Sequence, residues 1–275
     1  MTSIVLHDGK AHQDDFLAAC VLIHKLNAPA YRRSFTQDDL NDKDVWVLDQ
    51  GREHSHDLHN FDHHQLDEAI CSFTMVLDYF YQDYRSKLPQ LRYVEIFDSC
   101  GPNRAAEFAE AKPESLEVAC APAYLYLIKA FSKVSGEIKD PFYSVMGSIG
   151  KEICEDIENS NILLNCLEQS AIFFEHKKIK ILDTTSCKMP DGFKHDQLPT
   201  KEYSKLKNMQ PDVVLTIDTR QGGYRMVSIN SDVLKFKPND KSHFTHVTGF
   251  LTGFKEYDDY KYILNNHIEF NSKNA

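Results

Sequence analysis

The N-terminal sequence places a helical pattern between two short apolar runs, in an order that few folds accommodate. SIVLHDG, residues 3–9, predicts a short strand that ends in a polar turn, and DDFLAACVLIHKL, residues 14–26, has apolar residues at helical spacing. KDVWVLDQG, residues 43–51, predicts a second buried strand. Strand, helix and strand in this order are typical of an open, parallel α/β sheet. Ligands of such sheets bind at the carboxyl ends of the strands, which is where His7 and Asp49 fall.

The rest of the chain predicts a helical connector followed by a second, smaller α/β region. Helical patterns continue to about residue 178. Strand-like runs then return in IKILDTT, DVVLTIDTR and GYRMVSIN, and residues 189–210 predict a loop-rich insertion. We therefore expect two domains, residues 1–172 with the parallel open sheet and the connector, and residues 173–275 as a smaller α/β domain.

The composition predicts a globular protein without a membrane span. Of 275 residues, 42% are hydrophobic and 26% charged, which is enough apolar material for a sizeable core. No apolar run approaches the ~18 residues of a membrane span, and the N-terminus lacks a signal-peptide pattern. We expect a cytoplasmic location, with an organelle matrix or the nucleus as alternatives. The seven cysteines are scattered without a C-x-x-C pair, so neither a disulfide framework nor a thiolate zinc site is expected.

The net charge of −10 is unevenly distributed along the chain. Residues 1–170 are strongly acidic, whereas residues 171–275 are mildly basic. This division indicates that carboxylates of the first half hold cations and that the second half supplies contacts to an anion. A protein that coats long nucleic acid would need a strongly basic face, which the sequence does not predict.

Aspartate and histidine residues recur at or near the predicted ends of elements. They form four clusters: His7 with His12, Asp14 and Asp15; Asp49; Asp62 with His63 and His64; and Asp98. A mixture of imidazole and carboxylate without thiolate suits Mn²⁺, Fe²⁺, Co²⁺ or Zn²⁺ and disfavours an all-oxygen Ca²⁺ site. The candidate ligands outnumber those that one open catalytic metal takes from protein, whereas two metals bridged by one carboxylate would use them all.

Taken singly, the clusters also have purely structural interpretations. Asp14 and Asp15 could cap the following helix, and Asp98 could face solvent. The other histidines of the region are expected in a solvated loop outside the site: His54, His56 and His59.

In their order, the clusters resemble the signature of the DHH phosphoesterase superfamily. The signature combines a His-rich first motif, an aspartate closing the next core strand, the Asp-His-His triplet (here FDHHQ, residues 61–65) and an aspartate on a later helix. Within the superfamily, the chain is most similar to the melanocyte-proliferating-gene exonuclease family, which are metal-dependent nucleases of RNA. The similarity lies in HDGKAHQDDFLAACVL, TIDTRQGGYRMVSI and FTHVTGFLTGF. It implies a DHH-type catalytic domain over residues 1–172 and a substrate-binding domain over residues 173–275.

The resemblance implies a role for each clustered residue. One metal would be held by His7, His12 and Asp49, and the other by Asp14, Asp49, His63 and Asp98. It leaves His64 as a substrate contact or proton donor, so that the residues implied in catalysis are His64, Asp49 and Asp14. Asp62 would orient its neighbours. The chain departs from the usual motif at three positions, none of them a proposed ligand: Asp8, Ala11 and Gln50.

The C-terminal motifs predict the substrate contacts. Arg220 and Arg225 flank a Gly-Gly turn and could grip a phosphate, or could simply be exposed hairpin arginines. Gly249, together with Gly253, would let backbone amides approach an anion at the start of the next helix, with His246 pointing into the cleft.

These patterns predict a Mn²⁺-dependent phosphoesterase that uses water activated by two metals, with Mg²⁺, Co²⁺ or Zn²⁺ as alternative ions. The resemblance favours a 3′–5′ exonuclease on short RNA or DNA. One alternative is a hydrolase of a small phosphate such as pyrophosphate, a cyclic dinucleotide or a 3′-phosphoadenosine compound. Another is a non-catalytic protein that binds a phosphate ligand. The sequence predicts no oligomeric state.

Overall fold

The computed structural model describes residues 1–81, 84–87, 91–109 and 122–270. The chain divides into two compact units, Met1–Glu158 and Asn159–Ala275. This division falls inside one long helix. The functional boundary between residues 172 and 173 remains a prediction, because it concerns catalysis and substrate binding and not compactness.

The first unit is built on a six-stranded, mostly parallel sheet. Its strands are β1 Ser3–Leu6, β2 Ala30–Arg32, β3 Val45–Leu48, β4 His54–Ser55, β5 Asn60–Phe61 and β6 Gly136–Glu137. Their spatial order is β4-β5-β3-β1-β2-β6. The pairs β1–β2, β1–β3 and β3–β5 are parallel, and only β4 and β6 at the edges pair antiparallel. The parallel open sheet predicted from the sequence is therefore confirmed.

Helices surround this sheet. They are α1 Gln13–Leu26, α2 Gln37–Asn41, α3 Ser72–Phe80, α4 Tyr84–Lys87, α5 Arg92–Phe108, α6 Pro122–Phe131 and α7 Phe142–Ser170, the last of which continues into the second unit. α1 packs against α3 and α5, and its apolar side chains form one core with those of the sheet. α5 is broken at Gly101, where φ is 80°. Residues 82–83, 88–90 and 115–121 of the predicted helical segments lie outside the described residues.

α7 approaches α1 closely at Gly150. A Cβ atom at this position would lie 1.9 Å from the carbonyl oxygen of Cys20 on α1. At Gly147, one turn earlier, a Cβ atom would meet only Cγ2 of Ile23, at 3.5 Å. The contact between the two helices therefore requires glycine at position 150 but not at position 147.

Trp46 on β3 stands in an aromatic stack at one side of the sheet. Its indole lies parallel to the His59 ring, with centroids 4.0 Å apart and an interplanar angle of 6°, and it also stacks on Phe80. Nδ1 of His59 lies 2.8 Å from the backbone oxygen of Lys43. His59 lies in the turn between β4 and β5, as predicted, but it is half-buried and not fully solvated, because its ring packs against Trp46.

The second unit is built on a mixed six-stranded sheet in the order β12-β13-β10-β9-β8-β7. Its strands are β7 Ile172–His176, β8 Ile179–Asp183, β9 Val213–Ile217, β10 Tyr224–Ser228, β12 Ser242–Thr245 and β13 Leu251–Phe254, and a separate pair is formed by β11 Leu234–Phe236 and β14 Ile268–Phe270. β8 and β9 are parallel, and the other neighbours are antiparallel. Apolar residues pack on both faces, as expected for a small α/β domain.

One local prediction for this unit is wrong. Residues 172–176 form β7 and do not continue the helix, since Lys177 and Lys178 take φ values of 49° and 70° and close a tight hairpin with β8. The loop-rich segment 189–210 contains a 3-10 helix, His195–Gln197, and the helix α8, Thr200–Leu206. The remaining helix is α9, Asp259–Asn266. Among the described residues, no helix is both long and apolar enough to span a membrane.

Candidate metal centre

Three parallel strands deliver side chains to one edge of the first sheet. His7 follows β1 and Asp49 follows β3, and these strands pair in parallel, so both residues leave the sheet at the same edge. His63 comes shortly after β5, which is parallel to β3. Asp49 has a φ of 53°, a left-handed conformation that turns the chain sharply at the end of β3.

The first turn of α1 adds three more side chains to this edge. His12 is the N-cap residue, and Asp14 and Asp15 in the first turn are fully buried. Oδ1 of Asp15 accepts a hydrogen bond of 2.9 Å from the backbone N–H of His12. The predicted capping role is thus found for Asp15, which leaves Asp14 to face the cluster.

The two carboxylate oxygens of Asp49 face two different sets of side chains. Oδ2 lies 3.4 Å from Nε2 of His7 and 4.0 Å from Nδ1 of His12. Oδ1 lies 3.3 Å from Nε2 of His63 and 3.8 Å from Nδ1 of His64. A carboxylate shared in this way has the arrangement expected of a bridging ligand.

His63 joins the remaining predicted ligands. Its Nε2 lies 3.9 Å from Oδ2 of Asp14 and 3.1 Å from Oδ2 of Asp98, which α5 supplies. Three groups have ligand atoms within 4.8 Å of one another: His7, His12 and Asp49; Asp49, His63 and His64; and His12, Asp14 and Asp98. The six residues predicted as metal ligands therefore lie together, with His64 beside them.

The chemistry of these groups fits divalent cations. Nε2 of His7, Oδ1 of Asp14 and Oδ2 of Asp15 are buried without a hydrogen-bond partner. Nε2 of His7 is only 3.2 Å from Oδ2 of Asp15, but the pair lacks hydrogen-bond geometry. Buried polar atoms are normally satisfied, so unpaired oxygens and an imidazole nitrogen at one place fit a divalent cation.

Without a cation, protons must balance the buried carboxylates. The carboxylates of Asp15 and Asp49 raise the pKa of His7 to about 10. Burial lowers the pKa of His63, but Asp49 and Asp98 raise it by more, to about 10. Burial and then the charges of Asp49 and Asp98 raise the pKa of Asp14 well above its ordinary value. Burial alone would raise the pKa of Asp49, but His63 and His7 outweigh this effect and hold it below its ordinary range.

These pKa values predict that metal binding releases protons. At pH 7 both His7 and His63 are protonated in the metal-free chain, and an imidazole must be neutral to bind a metal. We expect Mn²⁺ to displace one proton from each ring, so the apparent affinity for Mn²⁺ should rise as the pH increases from 7 towards 10. Calorimetric titration with Mn²⁺ in buffers of different ionisation enthalpy counts the protons. Binding without proton release would contradict the assignment of these two rings as ligands.

Two supporting residues were not predicted from the sequence. The hydroxyl of Ser72, at the start of α3, lies 3.1 Å from Oδ1 of Asp49 and 2.9 Å from the backbone oxygen of Phe61. Its backbone N–H donates to Oδ2 of Asp14 at 3.3 Å. Asp15, which the sequence places in the first cluster but which was not predicted as a ligand, faces His7. Hydrogen bonds of this kind fix the orientation of metal ligands. For Asp15, the available sequence signal was its position three residues after the N-cap residue His12, which is typical of a capping box.

Asp62 holds His64 in place. Its Oδ1 accepts a 2.9 Å hydrogen bond from the backbone N–H of His64 and lies 2.7 Å from Nδ1 of the same residue. Its Oδ2 accepts from the backbone N–H of Arg52. With Nδ1 engaged, Nε2 is the atom of His64 that remains for a substrate.

His64 stands between two open pockets. One, of about 480 Å³, is lined by His12, His63 and Asp98 as well as His64. The other, of about 430 Å³, is lined by His64 together with Asp62, Arg52 and the exposed ring of Phe35. A group held beside the metal ligands would therefore have space on both sides of His64.

The other histidines of the region stand apart from the candidate ligands. His54 and His56 are exposed, and their rings lie 5.0 Å apart and close to Phe61. Among the residues the structure describes, neither these two nor His59 belongs to a group able to hold a metal.

The second unit contains the predicted substrate contacts. Arg220 is exposed in the turn between β9 and β10, where its backbone N–H donates to Asp218. Arg225 lies on β10 opposite Thr216 and lines a pocket whose walls include neither Arg220 nor the other two predicted contacts, His246 and Gly249.

The predicted surroundings of Gly249 are wrong in one respect. Gly249 precedes the strand β13 and not a helix, and Gly253 is a paired residue within that strand. Gly249 has a φ of 74°, and a Cβ atom there would lie 2.8 Å from the carbonyl oxygen of Phe236, so its glycine serves a turn packed on β11. Nδ1 of His246 lies 2.9 Å from the hydroxyl of Thr248. A role of either residue in substrate binding stays a prediction.

Comparison with known proteins gives one match in sequence. Residues 3–78 match the model of the MYG1 exonuclease family, described as an uncharacterised protein family (UPF0160). The N-terminal region matches the MYG1 exonuclease family. The matched segment runs from β1 into α3 and contains every proposed ligand except Asp98. No curated protein matches the chain.

One solved structure is similar at a low level. The pGpG-specific phosphodiesterase PggH from Vibrio cholerae is 9% identical, with a TM-score of 0.31, over 96% of this chain and 97% of that chain. A TM-score this low carries no argument about fold or function.

Proposed function

We propose that the chain is a Mn²⁺-dependent phosphoesterase that hydrolyses phosphodiester bonds, acting as a 3′–5′ exonuclease on short RNA or DNA. The observation that carries this proposal is the pair of His/Asp groups that share the carboxylate of Asp49. The match of residues 3–78 to an exonuclease family supports the nuclease activity. Two-metal sites of this kind are typical of phosphatases and nucleases.

The proposed division of the metal ligands follows the motif. His7, His12 and Asp49 would hold one ion, and the other would be held by a set that shares Asp49: Asp14, Asp49, His63 and Asp98. Divalent cations bound there supply nucleophilic water at neutral pH and neutralise charge on the phosphate.

The remaining residues bind substrate and move a proton. Nε2 of His64 contacts the phosphate or donates a proton to the leaving oxygen, because Asp62 holds the ring through Nδ1. Ser72 fixes the carboxylate of Asp49 by its hydroxyl. The proposed substrate contacts of the second unit are Arg220, Arg225, His246 and Gly249.

Two observations favour a short diester as substrate. Pockets open on both sides of His64, and a phosphodiester carries a substituent on each side of the phosphorus, whereas pyrophosphate needs little space. The acidic charge of residues 1–170 disfavours a long polyanion. Small phosphates remain the competing substrates, and phosphate-ligand binding without turnover remains the competing function.

An activity panel tests the proposal. The protein is incubated with Mn²⁺ and 5′-labelled RNA oligonucleotides, DNA dinucleotides or pyrophosphate, and the products are separated by length. We expect stepwise loss of mononucleotides from the 3′ end of the oligonucleotides and no hydrolysis of pyrophosphate. Turnover of pyrophosphate alone would identify a small-phosphate hydrolase, and Mn²⁺-dependent thermal stabilisation without turnover would identify a binding protein.

A further inference from the structure

The second unit contains a pocket in which three buried polar atoms have no hydrogen-bond partner. The pocket has a volume of about 120 Å³. The three atoms are Oγ1 of Thr216, Nε of Arg225 and Nε2 of His195, and all three residues line the pocket. Thr216 is only 4% exposed. Leaving such groups unpaired is costly, so a cluster of them indicates a site that a ligand completes.

The sheet and the 3-10 helix together position these atoms. Thr216 on β9 and Arg225 on β10 are direct partners across the antiparallel pair, so their side chains lie side by side on the same face. The 3-10 helix that carries His195 packs beside β9. All three elements belong to one compact unit, which makes the pocket a fixed feature of that unit.

The other lining residues argue against an inorganic oxyanion. Leu198, Val214, Val227 and Ile229 supply aliphatic walls, and Asp196 supplies a carboxylate. A phosphate would lie with its charge against these aliphatic groups and this carboxylate, at a large desolvation cost. Mostly apolar walls with a few fixed polar groups are instead typical of sites for small organic molecules.

The polar atoms offer both donors and acceptors. Nε of Arg225 donates, the carboxylate of Asp196 accepts, and the hydroxyl of Thr216 can do either. Burial lowers the pKa of His195, which keeps its ring neutral near pH 7. The edge of a nucleobase presents both kinds of group, whereas an oxyanion presents acceptors only.

The size of the pocket agrees with one heterocyclic ring. A closed protein cavity of roughly 150 Å³ accommodates a benzene ring. This pocket is of similar volume and open to solvent, so a six-membered ring can enter while a sugar stays outside.

We propose that the pocket between β9, β10 and the 3-10 helix binds a nucleobase through Thr216, Arg225 and His195. The inference extends the proposed function, since the base would belong to a nucleotide substrate. Binding of a neutral nucleoside requires neither metal nor hydrolysis, so the two proposals can fail separately.

Calorimetry on the full-length protein in EDTA tests the proposal. The probes are the four nucleosides guanosine, adenosine, cytidine and uridine, which carry a base without a phosphate, and ribose 5-phosphate, which carries a phosphate without a base. We expect at least one nucleoside to bind and ribose 5-phosphate not to bind. Binding of ribose 5-phosphate as tight as that of every nucleoside would make the pocket an anion site and overturn the proposal.

Thr216→Val separates binding from folding. The substitution keeps the shape of the side chain and removes a hydroxyl that has no partner, so the melting temperature should not fall, while nucleoside affinity should drop roughly tenfold. Arg225→Met should weaken binding by at least about tenfold through loss of a charged donor. Thr219→Val, the same change in the adjoining turn and outside the pocket lining, should leave affinity unchanged. Unchanged affinity in both pocket variants, or no nucleoside binding at all, would refute the proposal.

Discussion

Asp49→Asn is expected to lower phosphodiesterase activity by at least about 10³-fold. The substitution preserves size but removes the charge of the one carboxylate whose two oxygens face both groups of ligands. An amide offers one oxygen and one NH₂ group, so it cannot present an oxygen to both His7 and His63 as the carboxylate does. Initial rates with a labelled oligonucleotide and Mn²⁺, together with calorimetric Mn²⁺ binding, measure the effect.

Asp57→Asn provides the matched control for this experiment. Asp57 is an exposed aspartate of the same unit, outside every described group that could hold a metal, so its variant should retain full activity. Activity of Asp49→Asn within about tenfold of the unchanged protein, with intact Mn²⁺ binding, would show that Asp49 does not bridge metals.

Gly150→Ala is expected to lower the free energy of unfolding by about 3 kcal/mol or more. The added Cβ would lie 1.9 Å from the backbone oxygen of Cys20, and backbone of a packed helix has little room to move. α1 would have to shift from α7, and the first turn of α1 carries His12 and Asp14. Urea denaturation followed by circular dichroism gives the change in stability.

Gly147→Ala on the same helix should instead raise the free energy of unfolding. Its Cβ would make only an ordinary contact with Ile23 at 3.5 Å, and alanine is favoured over glycine within a helix by about 1 kcal/mol. A modest gain in stability from the substitution at position 147, with a large loss from the one at position 150, would identify the close approach to Cys20 as the cause of the loss. Equal effects of the two substitutions would contradict this explanation.

The sequence was sufficient to predict that these His and Asp side chains cluster, because parallel strands impose the geometry. Once β1, β3 and β5 run in the same direction, the residues that follow them must meet at one edge, and His7, Asp49 and His63 do so. The α1 residues were predictable for a related reason. A helix that follows β1 begins at that same edge, and Asp14 lies in its first turn.

Features that depend on the packing of distant segments could not be predicted in this way. The short run at residues 172–176 has no periodicity that separates a strand from the end of a helix. It is the left-handed turn at Lys177 and Lys178 that makes this run a strand of a hairpin. His195 and Thr216 are separated by a helix and a loop, and neither has a motif, so their shared pocket becomes visible only when the 3-10 helix is seen beside β9.

The position of Trp46 gives the first unit a spectroscopic signal of its own. It is the one tryptophan of the chain, and it lies in the first unit on the strand that ends at Asp49. Its indole is stacked on His59 and Phe80, so loss of this stack on unfolding changes its emission. Tryptophan fluorescence therefore reports the unfolding of the first unit by itself, while circular dichroism reports both units. Without any added label, a chemical denaturation experiment can thus determine whether the two units unfold together or one before the other.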